Sequence, residues 1–380
     1  NCACLSLFFD NPIWFEEFVP LAPIPAFINF WCSRLGDFHE TPVLLRTVQT
    51  FPHLDLVVQS STESTTRANN SFLLMATSLR LNIWQPERSA DFSTWRSLKN
   101  LDIHLSNHDP TATTQLTLTL TLPPLLECLG VFRGPPVTCV GGQHLTYVET
   151  DNPAFTLESS ATLRALSIPL DDCNTPEQQS FLAGMTALTS LRLTTEELFS
   201  DSVLPPNVVA LTLDVKATSF PVGLLSTIPT LRRLSLCAPN CTTGVDLSPL
   251  TQVTLIDGDG TRVSRLPTSV VQCRMAESSG MSFANCTNLT ALWLRVSGKG
   301  YITFPSQLEQ LEVDRKFPSL SNIKELHLKV ARFYGEYYAD EQEFVKSWNQ
   351  KVPWSDPRLK FPLVDQEFRD KFPRTLKAIP

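Results

Sequence analysis

Down most of this chain an apolar residue is followed by two variable positions, a Leu, one variable position and another apolar residue. Clear copies begin at Leu98, Leu126, Leu163, Leu188, Val208, Leu231, Leu250, Val270, Leu289, Leu308 and Ile323. Looser ones begin at Phe51 and Ala76, and a weak one sits near Gly142. In Leu289-Thr290-Ala291-Leu292-Trp293-Leu294 the last two leucines alternate with outward positions, as in a half-buried strand. Leu289 joins the same interior from the turn before. One such strand cannot bury its apolar edge alone. Copies recurring roughly every 19 to 28 residues stack as a parallel ladder, each burying its leucines against its neighbours. Each buried Leu contributes about 1.5–3 kcal/mol, enough for repeated copies to sustain one core.

The segments between copies are short. Pro precedes several copies, in Leu204-Pro205-Pro206, Leu266-Pro267 and Phe304-Pro305, which suits a turn feeding a strand rather than the ladder itself. Turns, extended segments and single 3₁₀ turns are expected on the return path. One helix is expected where Thr175 caps Pro176-Glu177-Gln178-Gln179-Ser180-Phe181-Leu182.

The recurring hexamer resembles that of the leucine-rich-repeat superfamily, over residues 51–329 and most clearly over 163–328. The Asn that commonly follows the strand in that superfamily is mostly missing, and Cys273 and Met275 replace the strand leucines of one copy. The resemblance implies an α/β solenoid, a leucine-rich-repeat horseshoe with a parallel sheet on its concave face and a mostly irregular or 3₁₀ convex side. Residues 1–50 lack the pattern and are expected to form a non-repeat, helical amino-terminal cap. Residues 330–380 are expected to form a carboxy-terminal cap or tail, with a short helix over 339–350.

A net charge of −7 and the lack of any dense Lys/Arg run make nucleic acid an unexpected partner. The apolar stretch Phe18 to Trp31 is interrupted by Pro20, Pro23 and Pro25 and is too short to span a bilayer. The ten Cys are scattered rather than clustered at an end, which favours a reduced, cytoplasmic setting; a removed signal peptide would instead make the chain secreted. Sequons at Asn69, Asn240, Asn285 and Asn288 are no more than a Ser/Thr-rich chain gives by chance.

Catalytic chemistry finds little support. His104 and His108 have helical zinc spacing, but Leu101-Asp102-Ile103 reads as a strand. Asp257-Gly258-Asp259-Gly260 matches part of a calcium loop and lacks its terminal Glu; a turn leaving a strand at Val253–Leu255 explains it better. Cys237 and Cys241 are expected as two free thiols. No nucleophile elbow or phosphate-cradling glycine loop is present. The expectation is a non-enzyme without cofactor or metal that binds a protein partner through the concave face. Arg274, Trp293, Arg295, Glu312, Asp314 and His327 are the candidate contact residues, because Trp and Arg are enriched at interface hot spots. The alternative for Trp293 is coverage by its neighbours, with the charges forming cross-strand pairs. Rival roles are a ubiquitin-ligase substrate receptor docking through residues 1–50, and a secreted or surface recognition protein.

Overall fold

The computed structural model describes residues 4–9, 27–32 and 54–61 and then, with breaks, 77–335, together with Gln342. It is a parallel β-solenoid with few helices, and it divides into two compact units, Asn1–Val270 and Val271–Pro380.

In the first unit the main ladder runs in chain order. It begins with the strands Cys4–Phe9, Phe27–Cys32, Leu54–Ser61, Ser78–Trp84, Asn100–Ser106 and Cys128–Phe132. It continues through Tyr147–Thr150, Ala165–Leu170, Ser190–Thr195, Ala210–Val215, Arg233–Cys237 and Leu255–Gly258. Every described pairing is parallel. The first two strands fall within residues 1–50. There the backbone is strand and part of the ladder, where the sequence suggested a helical cap.

One hydrogen-bond device recurs at the foot of the rungs. Two successive amides donate to a single carbonyl of the preceding rung: Lys99 and Asn100 to Thr77, Arg164 and Ala165 to Thr146, Arg232 and Arg233 to Val209, all at 2.8–3.0 Å. A carbonyl has two lone pairs, so both amides are satisfied and the register is pinned. Immediately before each such pair stands a buried apolar residue, as at Leu98, Leu126, Leu163, Leu188, Val208 and Leu231. These are the leading residues of the hexamer.

The same device corrects two readings. Thr146 and Tyr147 both donate to Glu127, so Leu145 leads the copy sensed only weakly near Gly142. Gly142 begins the turn before it with φ +76°, and a Cβ there would meet Leu145 Cδ1 at 2.6 Å, so only Gly fits. Thr254 and Leu255 both donate to Arg232, so Val253 leads its copy and the hexamer starting at Leu250 is out of register by three. Leu250 is nonetheless fully buried, because it opens the turn whose last amide, that of Val253, donates back to it. Trp95, Met185 and Ile228 hold the corresponding place before Leu98, Leu188 and Leu231. In other copies that place is taken by buried Pro123, Pro205 and Pro267. Proline loses nothing there, since at Pro123 and Pro267 the carbonyl is the group the turn uses.

The return path differs from the irregular one expected. Ser89–Asp91, Leu118–Thr121, Val137–Val140 and Phe155–Leu157 form a second parallel sheet, with alternate residues buried. The alternation of Leu and Thr from Leu116 to Leu122 is the sequence signal for it. Between Arg164 and Thr189, 25 positions apart, the return path carries a helix instead. That helix, α1 (Pro176–Ala183), has Thr175 accepting from the Gln178 amide at 3.3 Å, as the sequence indicates. A shorter α2 (Val222–Ser226) buries Leu224 and Leu225.

In the second unit the ladder comprises Gln272–Ala276, Ala291–Val296, Gln310–Arg315 and Val330–Gly335, again parallel. Its last rung is another correction. Lys329 and Val330 both donate to Glu309, so buried Leu328 leads the copy and the strand lies beyond the hexamer read from Ile323. The strand also extends the repeat past residue 329. The helix expected over 339–350 lies outside the described residues apart from Gln342.

Candidate interaction face

In a strand, residues flanking the inward positions face the other way. In the second unit the register sets Arg274, Trp293, Glu312 and Arg332 side by side, one per rung. It sets Ala276, Arg295, Asp314 and Tyr334 side by side in the next row. Five of the six residues proposed from sequence therefore share one face. His327 lies outside the described residues, and its expected place beside Glu312 belongs to Arg332. Sequence reasoning missed Arg332 because the last copy was read in the wrong register.

Trp293 is only 9% exposed. It does not protrude as an anchor but lies between the long side chains of its row neighbours. Glu312 and Arg332 form an ion pair at 3.5 Å, with side chains 16% and 19% exposed. Burial pushes the Glu312 carboxyl above its ordinary value, against the pull of Arg332 and Arg274. Arg295 and Asp314 stay exposed. At the margin Lys329 pairs with Glu309 at 2.7 Å, both more open to water. The face thus has a centre of one buried aromatic ring and half-buried opposed charges, with exposed charges around it.

The first unit carries a different face. In its early rungs charges pair across neighbouring strands: Lys99 with Glu127 at 2.7 Å and Arg80 with Asp102 at 3.3 Å. His104 stacks on Phe132 with ring centres 4.7 Å apart, and burial, then Arg80, lowers its pKa. His104 thus lies in a strand, packed on a ring; His108 is outside the described residues. Gly130 lies between, and a Cβ there would meet Asp102 Oδ1 at 2.3 Å and the Phe132 ring at 2.8 Å. The missing side chain is what lets both neighbours fold inward over that rung.

The remaining candidate chemistry resolves into structure. Asp257 is buried within the strand Leu255–Gly258, not in a turn after Leu255. Neither Cys237 nor Cys241 is in a disulfide, and Cys241 donates to the Ala217 carbonyl at 3.5 Å. Among the described residues no group of three or more His, Cys, Asp or Glu is placed to hold a metal ion. No described helix is long and apolar enough to cross a membrane.

No protein-family model matches this sequence, and no curated protein matches it. A solved leucine-rich-repeat protein of Leptospira interrogans is similar over 92% of this chain and 99% of that chain, at 12% identity and a TM-score of 0.42. A likeness that distant carries no residue role or activity from one chain to the other.

Proposed function

We propose that the chain is a non-catalytic protein-recognition module that engages a protein partner through the outward strand face of its second unit. The observation that supports this is the row Arg274–Trp293–Glu312–Arg332, beside exposed Arg295 and Asp314. A partly desolvated aromatic among opposed charges is the composition of an interface centre, and the exposed charges suit a polar rim. Because Trp293 is covered in the free chain, it acts as a platform under Arg274 and Arg295 rather than as a knob. The arginines are then the groups a partner meets first, and an acidic or hydrogen-bonding partner surface fits them.

The test is affinity capture from the native cell extract, with wild type set beside the charge reversals Arg274→Glu and Arg295→Glu combined. A protein retained by wild type and lost with the folded variant supports the reading. Equal recovery by both, with unchanged unfolding, removes this face from the account.

A further inference from the structure

The first unit carries an arginine cluster that no copy of the repeat requires. Arg164 and Arg192 lie on neighbouring rungs, and Arg232 and Arg233 lie two rungs beyond Arg192. All four are exposed. Their floor is low: Ala165, Ser190 and Ala210 share the row of Arg233, while Ser167, Thr212 and Ser235 share that of Arg192. Rungs in a sheet are about 4.8 Å apart, so the cluster extends over about 14 Å along the ladder.

Carboxylates are displaced from this stretch although the whole chain has a net charge of −7. Over the four strands the only acidic residue is Asp214, half-buried at the margin. Glu196, just past one strand, is already held by Lys216 at 2.6 Å. In the row of Arg192, acidic side chains return only beyond the cluster, at Glu149 on one side and at buried Asp257 on the other. Arg232 folds one guanidinium nitrogen back onto the carbonyls of Pro229 and Leu231, which fixes its position at the rim.

From this charge pattern we infer a second interaction surface, a docking strip for an extended acidic peptide segment of a protein partner. Arginine presents a planar fork that matches a carboxylate at two points, and it sheds water more readily than lysine. An extended peptide advances about 3.3 Å per residue, so carboxylates two and four residues apart reach arginines one to three rungs apart. The low floor of Ala, Ser and Thr gives a peptide backbone room to lie between them. The strip lies in the first unit and is independent of the face proposed above.

The probe is a fluorescein-labelled peptide of about a dozen residues alternating Glu and Ser, long enough to cross the strip. Binding to the full chain is followed by fluorescence anisotropy at low and high salt. The controls are the same peptide with Gln for Glu and a uridine oligonucleotide of equal charge. Saturable, salt-sensitive binding of the Glu peptide alone is expected, weakened tenfold or more by Arg192→Glu combined with Arg233→Glu. Arg164→Gln combined with Arg192→Gln is measured alongside, and it decides the matter if the reversal variant unfolds. Absence of saturable binding, or affinity unchanged in a folded variant, overturns the strip. Tighter binding of the oligonucleotide, lost with the same arginines, overturns it in favour of a nucleic-acid surface.

Discussion

The rungs from Leu163 to Cys237 and those from Val271 to Gly335 follow the same plan inward and opposite plans outward. In both, a buried apolar residue leads each rung and paired amides share one carbonyl. Outward, the first stretch carries small residues and exposed arginines, whereas the second carries Trp293 beneath half-buried charges. The inward columns are held by a packing requirement that every copy meets alike. The outward rows are free of it, and so they are where the copies differ and where recognition chemistry can reside.

That contrast is broken most severely at an inward site. Leu234 is fully buried, and Leu234→Ala should cost about 2–5 kcal/mol, through lost burial and the cavity left behind. Chemical denaturation would measure it; a loss below 1 kcal/mol would mean that the column is loosely packed. Trp293→Ala comes next. Trp293 faces outward yet is covered, so a loss of about 2–4 kcal/mol is expected, close to that of a core residue. A near-neutral result would return Trp293 to the role of an exposed anchor.

Glu312 sharpens the comparison through pH. Folding raises its pKa, so the folded chain holds that proton more tightly than the unfolded chain does. The stability this contributes is fully present below its ordinary value of 4.5 and is lost as pH rises through the folded value. Wild type should therefore lose ground to Glu312→Gln as pH is raised from acid toward neutrality. Paired unfolding curves check this, and a difference that grows in favour of wild type contradicts it. The smallest effect is expected in the first unit: Arg192→Ala should change stability by no more than about 0.5 kcal/mol, as at exposed surface sites generally. A larger loss would give Arg192 a structural duty and weaken the case for a docking strip.

Much of the inward plan was legible in the chain. Leucines and valines lead rung after rung, and α1 was readable from Thr175-Pro176. The errors of register share one cause. Leu250, Val253 and Leu255 fit the hexamer as well as Val253, Ile256 and Gly258 seat on the ladder, and only the Arg232 carbonyl decides between them. The same ambiguity placed His327 where Arg332 stands. A pattern of spacings cannot distinguish an apolar residue that opens a turn from one that leads a strand, because both are buried. The Leu–Thr alternation at Leu118–Thr121 signals the second sheet, but it lies between hexamers and does not follow their spacing. The coverage of Trp293 was not legible, since it depends on neighbours one rung away on either side, far off in sequence.

The second unit's face depends on register, and its last rung tests it most sharply. Amide hydrogen exchange resolved to single residues would settle it. Strong protection at Lys329 and Val330, matching that at Glu309 and Gln310, is the result expected. Protection over Glu325 to Leu328, with Val330 exchanging freely, would place the Ile323 hexamer on the ladder, remove Arg332 from Glu312 and contradict the face described here.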